Sequence, residues 1–147
     1  MSSLKIGAMQ RVSFWKTKIM QNVAIYFQSW FLCIVPPPPT KLEMTLAGEA
    51  KNVSKPSKHG IYILADGVVN GYPYWVREDE KYALWLNKKT ASWIVGAKDN
   101  LGTSTGYIVG PNGRDNYPND IKQGWTYSDG EKFNEAPTSD IIFNVIG

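Results

Sequence analysis

The chain has a single cysteine, Cys33, and a single histidine, His59, in 147 residues. One cysteine excludes an intrachain disulfide. One histidine excludes multi-histidine metal sites and leaves any catalytic triad resting on His59 alone. No acidic residue precedes Glu43. A membrane-crossing helix needs about 20 apolar residues; the run Val23–Val35 has 13 and includes Gln28 and Ser29. Gly102, Gly106, Gly110 and Gly113 lack the spacing of a phosphate-binding loop, which argues against a nucleotide site. No motif calls for a cofactor.

What is present divides at a proline run, Pro36–Pro39, a stiff extended spacer. Before it, Lys5, Arg11, Lys16 and Lys18 are the only charges in residues 1–40. Val12, Trp15, Ile19, Val23, Tyr26, Trp30 and Ile34 recur at three- and four-residue steps, which predicts an N-terminal helix with one apolar stripe. Residues 8–34 suit a membrane interface, and the order of basic then apolar residues resembles a secretory leader. No small-residue cleavage site follows. A secreted or membrane-associated location is expected over a cytoplasmic or mitochondrial one. Cys33, inside the apolar run, reads as an inert thiol.

Residues 41–147 hold all thirteen acids and the remaining twelve Lys and Arg, so this part is nearly neutral. That balance gives no electrostatic footprint for nucleic acid. The pair Lys88 and Lys89 near Trp85 reads as a solvated tip. Short alternating segments separated by turn residues predict an all-β fold, a small antiparallel meander or barrel-like domain. The expected strands are 42–46, 61–65, 72–77, 82–86, 90–95, 105–109, 125–127 and 141–146. Asn70-Gly71 marks a tight turn, Asn87-Lys88-Lys89 a hairpin, and Ser128-Asp129-Gly130 another turn. Residues 110–124 are expected to be loop.

The order of several short segments carries a resemblance. Gly60-Ile61-Tyr62 is followed by Asn70-Gly71-Tyr72-Pro73-Tyr74-Trp75, Leu84-Trp85-Leu86, Trp93-Ile94-Val95-Gly96 and Trp125-Thr126-Tyr127-Ser128-Asp129-Gly130. This succession resembles a small β module, often in tandem, of many invertebrate and protist proteins. Tyr72 stands where the module has Arg, Trp75 where it has Tyr, and Phe133 where it has the last Trp. The resemblance implies a β fold and a neighbourhood of extracellular domains. It implies no activity and no site residues.

Catalytic chemistry has thin support. Glu78, Asp79 and Glu80 are consecutive, so they cannot face one another across a cleft as a glycosidase pair must. A hydrolase would have to use His59 or loop carboxylates. Asp115, Asn116, Asn119 and Asp120 are hard oxygen donors suited to calcium, without the EF-hand spacing. Asn52-Val53-Ser54 is a glycosylation sequon, usable at Asn52 if the domain is secreted. The aromatics point elsewhere. Flat rings bind sugars and peptides at low entropy cost, and alternation places Tyr72 and Tyr74 on one face. Tyr72, Tyr74, Trp85 and Tyr127 are therefore the candidate ligand residues of a non-enzymatic recognition module for a glycan or protein. The alternative is a structural, self-associating extracellular matrix-type component.

Overall fold

The computed structural model describes residues 36–147. The expected N-terminal helix, the membrane-interface stripe of residues 8–34 and Cys33 lie outside the described residues.

The first strand, β1 (Lys41–Leu46), alternates strictly: Leu42, Met44 and Leu46 are buried and the residues between them exposed. Period-two burial of this kind commits one face of a strand to a core. Eight further strands follow: β2 (Gly60–Leu64), β3 (Trp75–Arg77), β4 (Tyr82–Leu86), β5 (Ser92–Ala97), β6 (Ile108–Asn112), β7 (Thr126–Ser128), β8 (Phe133–Glu135) and β9 (Ile141–Val145). They form one sheet of nine strands in the order β8-β7-β6-β5-β4-β3-β2-β1-β9. Every pairing is antiparallel. The first eight strands are a meander, and β9 returns to lie beside β1.

The sheet curls into a half-barrel. Trp125, just before β7, has its ring centroid 4.9 Å from that of Phe143 on β9, although β7 and β9 lie near opposite ends of the strand order. The concave face holds the main core, with Leu42, Met44, Tyr62, Trp75, Leu84, Trp93, Val95, Ile108 and Phe143 among its members. The 3-10 turn Pro118–Asp120 packs against β9. Ile141 and Phe143 are buried there, while Asn144 and Val145 at the end of the strand are exposed.

Both faces of the central strands are buried, and β4 is buried along its whole length. Trp85 points away from Leu84 and Leu86, as alternation requires, into a second cluster with Ala83 and Ile94. Val69, Tyr74, Val76, Leu101 and Val109 cover that cluster. The tight turn at Asn70-Gly71 forms with φ of 56° and 84°. The Asn70 amide nitrogen donates to the carbonyls of Leu86 and Gly102, 2.9 and 3.2 Å away, and so ties the turn to the loop beyond β5.

Several sequence expectations are corrected. The strand expected from Tyr72 begins only at Trp75, because Pro73 follows an isolated bridge between Val69 and Tyr72. The segment expected to be loop from residue 110 is still strand to Asn112. Pro111 is tolerated there because the register with β5 shifts between Ser92 and Ile94 and pairing with β7 ends at Val109. A short helix, α1 (Gly48–Val53), joins β1 to β2 and buries only Ala50.

Candidate functional site

The two ends of the half-barrel differ in chemistry. At one end stand Trp75, Trp93 and Trp125, all buried. Their indole N–H groups donate to loop carbonyls: Trp75 to Pro39 at 2.8 Å, Trp93 to Asn116 at 2.8 Å and Trp125 to Ile121 at 3.1 Å. Tyr117 meets Trp75 edge-on at 6.3 Å, and its hydroxyl donates to the Pro36 carbonyl at 2.7 Å. The proline run is thus docked on the domain at two points. Trp85 does the same on the convex face, donating to the Thr103 carbonyl at 2.9 Å. Each indole supplies a large apolar body to the core and a polar tip to a loop.

These contacts remove half of the expected ligand surface. Trp85 is 0% exposed and Tyr127 is buried, so neither offers a ring to a ligand. Tyr72 and Tyr74 are half-buried and do not share a face: Tyr72 packs on the concave core, Tyr74 on the convex cluster. Pro73 and the Asn70-Gly71 turn interrupt the period of two that the shared face assumed.

The other candidates fall in separate places. Asp115, Asn116 and Asp120 are exposed and Asn119 is half-buried. The Asn116 carbonyl is occupied by Trp93 and the Asn119 carbonyl by Lys122. Among the described residues, no three His, Cys, Asp or Glu side chains converge as a metal site. Asn52 is exposed on the last turn of α1, while Ser54 of the sequon is buried with its hydroxyl unpartnered. Lys88 and Lys89 are an exposed tip. No helix of the described residues is long and apolar enough to cross a membrane.

The opposite end carries the constellation that sequence reasoning missed. Here lie the start of β2, the end of β3, the start of β4 and Tyr107, just before β6. Three successive carbonyls in the loop before β2 are held by side chains of the sheet. Arg77 Nη1 donates to the Ser57 and His59 carbonyls at 2.8 and 3.0 Å. The Tyr62 hydroxyl donates to the Lys58 carbonyl at 2.6 Å. Asp79 fixes Arg77 in turn through two bonds, Nε to Oδ1 at 2.9 Å and Nη2 to Oδ2 at 2.6 Å. Such a two-pronged pair orients the guanidinium as well as neutralising it.

With its backbone clamped, Lys58 extends across this end and is only 5% exposed. Its Nζ lies 4.4 Å from the ring centroid of Tyr107 and 5.6 Å from that of Tyr82. Arg77 lies 4.5 Å from the Tyr82 centroid. The two tyrosines meet edge-on at 6.2 Å, and Tyr107 is 39% exposed. Ring faces attract cations, but they supply no hydrogen-bond acceptor. The ion pairs among the described residues are Arg77–Asp79 and Glu80–Lys98, so Lys58 takes part in neither.

The electrostatics follow from this arrangement. Burial lowers the Lys58 ammonium from its ordinary pKa, and the nearby Arg77 charge lowers it further. The Arg77 hydrogen bonds hold the Asp79 carboxyl down to about 2. Burial pushes the Tyr62 phenol above its usual value, so it remains a donor. His59 is exposed, and its Nδ1 hydrogen-bonds Ser57 Oγ. In sequence, Lys58 looks like a solvated loop lysine between Ser57 and His59. The only local signal is Tyr62, four residues on, which bonds back to it. The chain matches no known protein family, no curated protein and no solved structure.

Proposed function

We propose that this domain is a non-enzymatic recognition module that binds a glycan or protein through a β surface, at the end of the half-barrel marked by Lys58, Tyr82 and Tyr107. One observation carries this reading. The backbone at Lys58 is held by three side-chain bonds to the consecutive carbonyls of Ser57, Lys58 and His59, beside a partly exposed tyrosine ring. Holding a polar group and a ring ready before the ligand arrives lowers the entropy cost of binding. The order of the aromatic segments supports a further reading, that the domain is a variant of the tandem β module it resembles.

Screening the full chain against arrayed glycans and extracellular proteins tests the reading. Tyr107→Ala is expected to weaken every genuine hit without changing the melting temperature by more than a few degrees. Hits that survive this substitution unchanged would move the site elsewhere. A structural, self-associating role is the second reading, supported by Phe133, 50% exposed on the short end strand β8. An end strand paired on one side is a template for another chain. Sedimentation over a hundredfold range of concentration separates the two readings, because only the second expects oligomers that Phe133→Lys dissolves.

A further inference from the structure

Resting on the recognition reading above, we infer that the Lys58 ammonium is the docking point for an anionic group on an acidic glycan, a carboxylate or a sulfate ester, whose sugar ring lies against Tyr107. Lysine is an expensive residue to bury, and proteins normally pair it when they do. Here the burial is constructed. Arg77 and Tyr62 use their donors to fix the loop, and Asp79 neutralises Arg77 rather than Lys58. Within the trio Lys58, Arg77 and Asp79 one positive charge is left over. That charge lies over the rings of Tyr82 and Tyr107, which attract it without accepting a hydrogen bond from it. An oxyanion beside Nζ would supply the acceptor that Nζ does not have among the described residues.

The ring beside it favours a sugar over a peptide. Strands β2 to β6 are interior, each paired on both sides. The nearest free ladder edge is that of β8, two strands from Tyr107: Phe133 pairs with Ser128, whose N–H bonds the Tyr107 carbonyl, so Lys58 itself stands among strands already paired. A sugar needs no ladder: its C–H face can bury the exposed part of Tyr107 while its acid group reaches Lys58.

The test is calorimetric titration of the full chain with four probes: a sulfated oligosaccharide, a uronate oligosaccharide, their neutral parent of equal length, and a glutamate-rich peptide. One or both acidic saccharides are expected to bind, and which one does identifies the oxyanion. The neutral parent should bind weaker by about tenfold or more, the size of one charge-assisted hydrogen bond. Lys58→Met should remove that preference and Lys58→Arg retain part of it. Should Lys58→Met fail to fold, side-chain NMR of the unaltered protein gives the same answer: acidic saccharide should shift the Lys58 side-chain signals and leave those of Lys88 and Lys89 in place. Equal binding of the neutral parent, or unchanged binding by Lys58→Met, overturns the anion assignment while the recognition reading stands. Binding of the peptide in place of the saccharides overturns the glycan class. Silence from all four probes overturns this inference, while the array screen decides the recognition reading separately.

Discussion

Replacing Tyr62 by Phe removes one oxygen from the clamp and leaves the ring in place. Tyr62 is fully buried on β2, and its hydroxyl meets the Lys58 carbonyl at 2.6 Å. The substitution abolishes that bond and leaves a carbonyl in a loop with little access to water. An orphaned buried acceptor costs about 1–3 kcal/mol. The neighbouring bonds from Arg77 to Ser57 and His59 remain, so the lower half of that range, about 1–2 kcal/mol, is expected. For a domain of this size that is a fall of roughly 4–8 °C in Tm. Urea unfolding followed by tryptophan fluorescence measures it, since four buried indoles report the core. Tyr82→Phe is the matched control. Its ring lies at the same end, but its hydroxyl has no partner among the described residues, so its change should stay within about 0.5 kcal/mol. The clamp would be refuted if the two variants unfolded at the same urea concentration as each other.

Three further outcomes follow from the same contacts. A methyl group at Gly110 would stand 2.9 Å from the Trp125 ring. Gly110→Ala should therefore destabilise by about 1–3 kcal/mol in urea melts through overpacking, and an unchanged midpoint would contradict the ring's placement. Trp85→Ala should cost about 3–5 kcal/mol as a core deletion, observed as a global loss of stability with no selective loss of ligand. In acid, Asp79 has a folded pKa near 2, below the unfolded value of about 3.9. A depressed carboxyl adds stability above the unfolded pKa and loses it as pH falls through the folded one. Stability should therefore drop between about pH 4 and pH 2. Asp79→Asn should flatten part of that drop at a cost near neutrality of about 1 kcal/mol or less, because the Asp79 side chain is 43% exposed. Thermal melts across that pH range read the difference.

Local chemistry was legible where it acts locally. The strand Tyr82–Leu86 has the bounds its alternation predicts, and Asn70-Gly71 makes its turn because both residues accept positive φ. The outward direction of Trp85 was legible too. Its burial was not, because the cover comes from the loop around Leu101 and Thr103, which only the folded chain brings there. Helix α1 is six residues long, too short to be stable by propensity, and its position depends on tertiary contacts. The site at Lys58 was hidden for the same reason. Its burial comes from Tyr82 on β4 and Tyr107 just before β6, and a lysine carries no mark of the rings that will receive it.

Whether Lys58 serves the fold or a ligand is decided by a comparison that stability alone can make. If it were a structural cap, Lys58→Met would forfeit its cation–ring attraction and destabilise the domain by about 0.5–2 kcal/mol. If its charge is kept for binding, the folded state bears a desolvation cost that Met does not have. Met matches the apolar stem in length and packs against rings through its sulfur. Buried charges replaced by apolar residues of similar volume are often neutral or stabilising in this way. The depressed pKa of Lys58, caused first by burial and then by Arg77, points to that cost. The expected result is a Lys58→Met domain at least as stable as the natural one and poor at holding an acidic saccharide. A clear loss of stability in urea would assign the lysine to the fold and remove the reason for seeking a ligand at this end of the half-barrel.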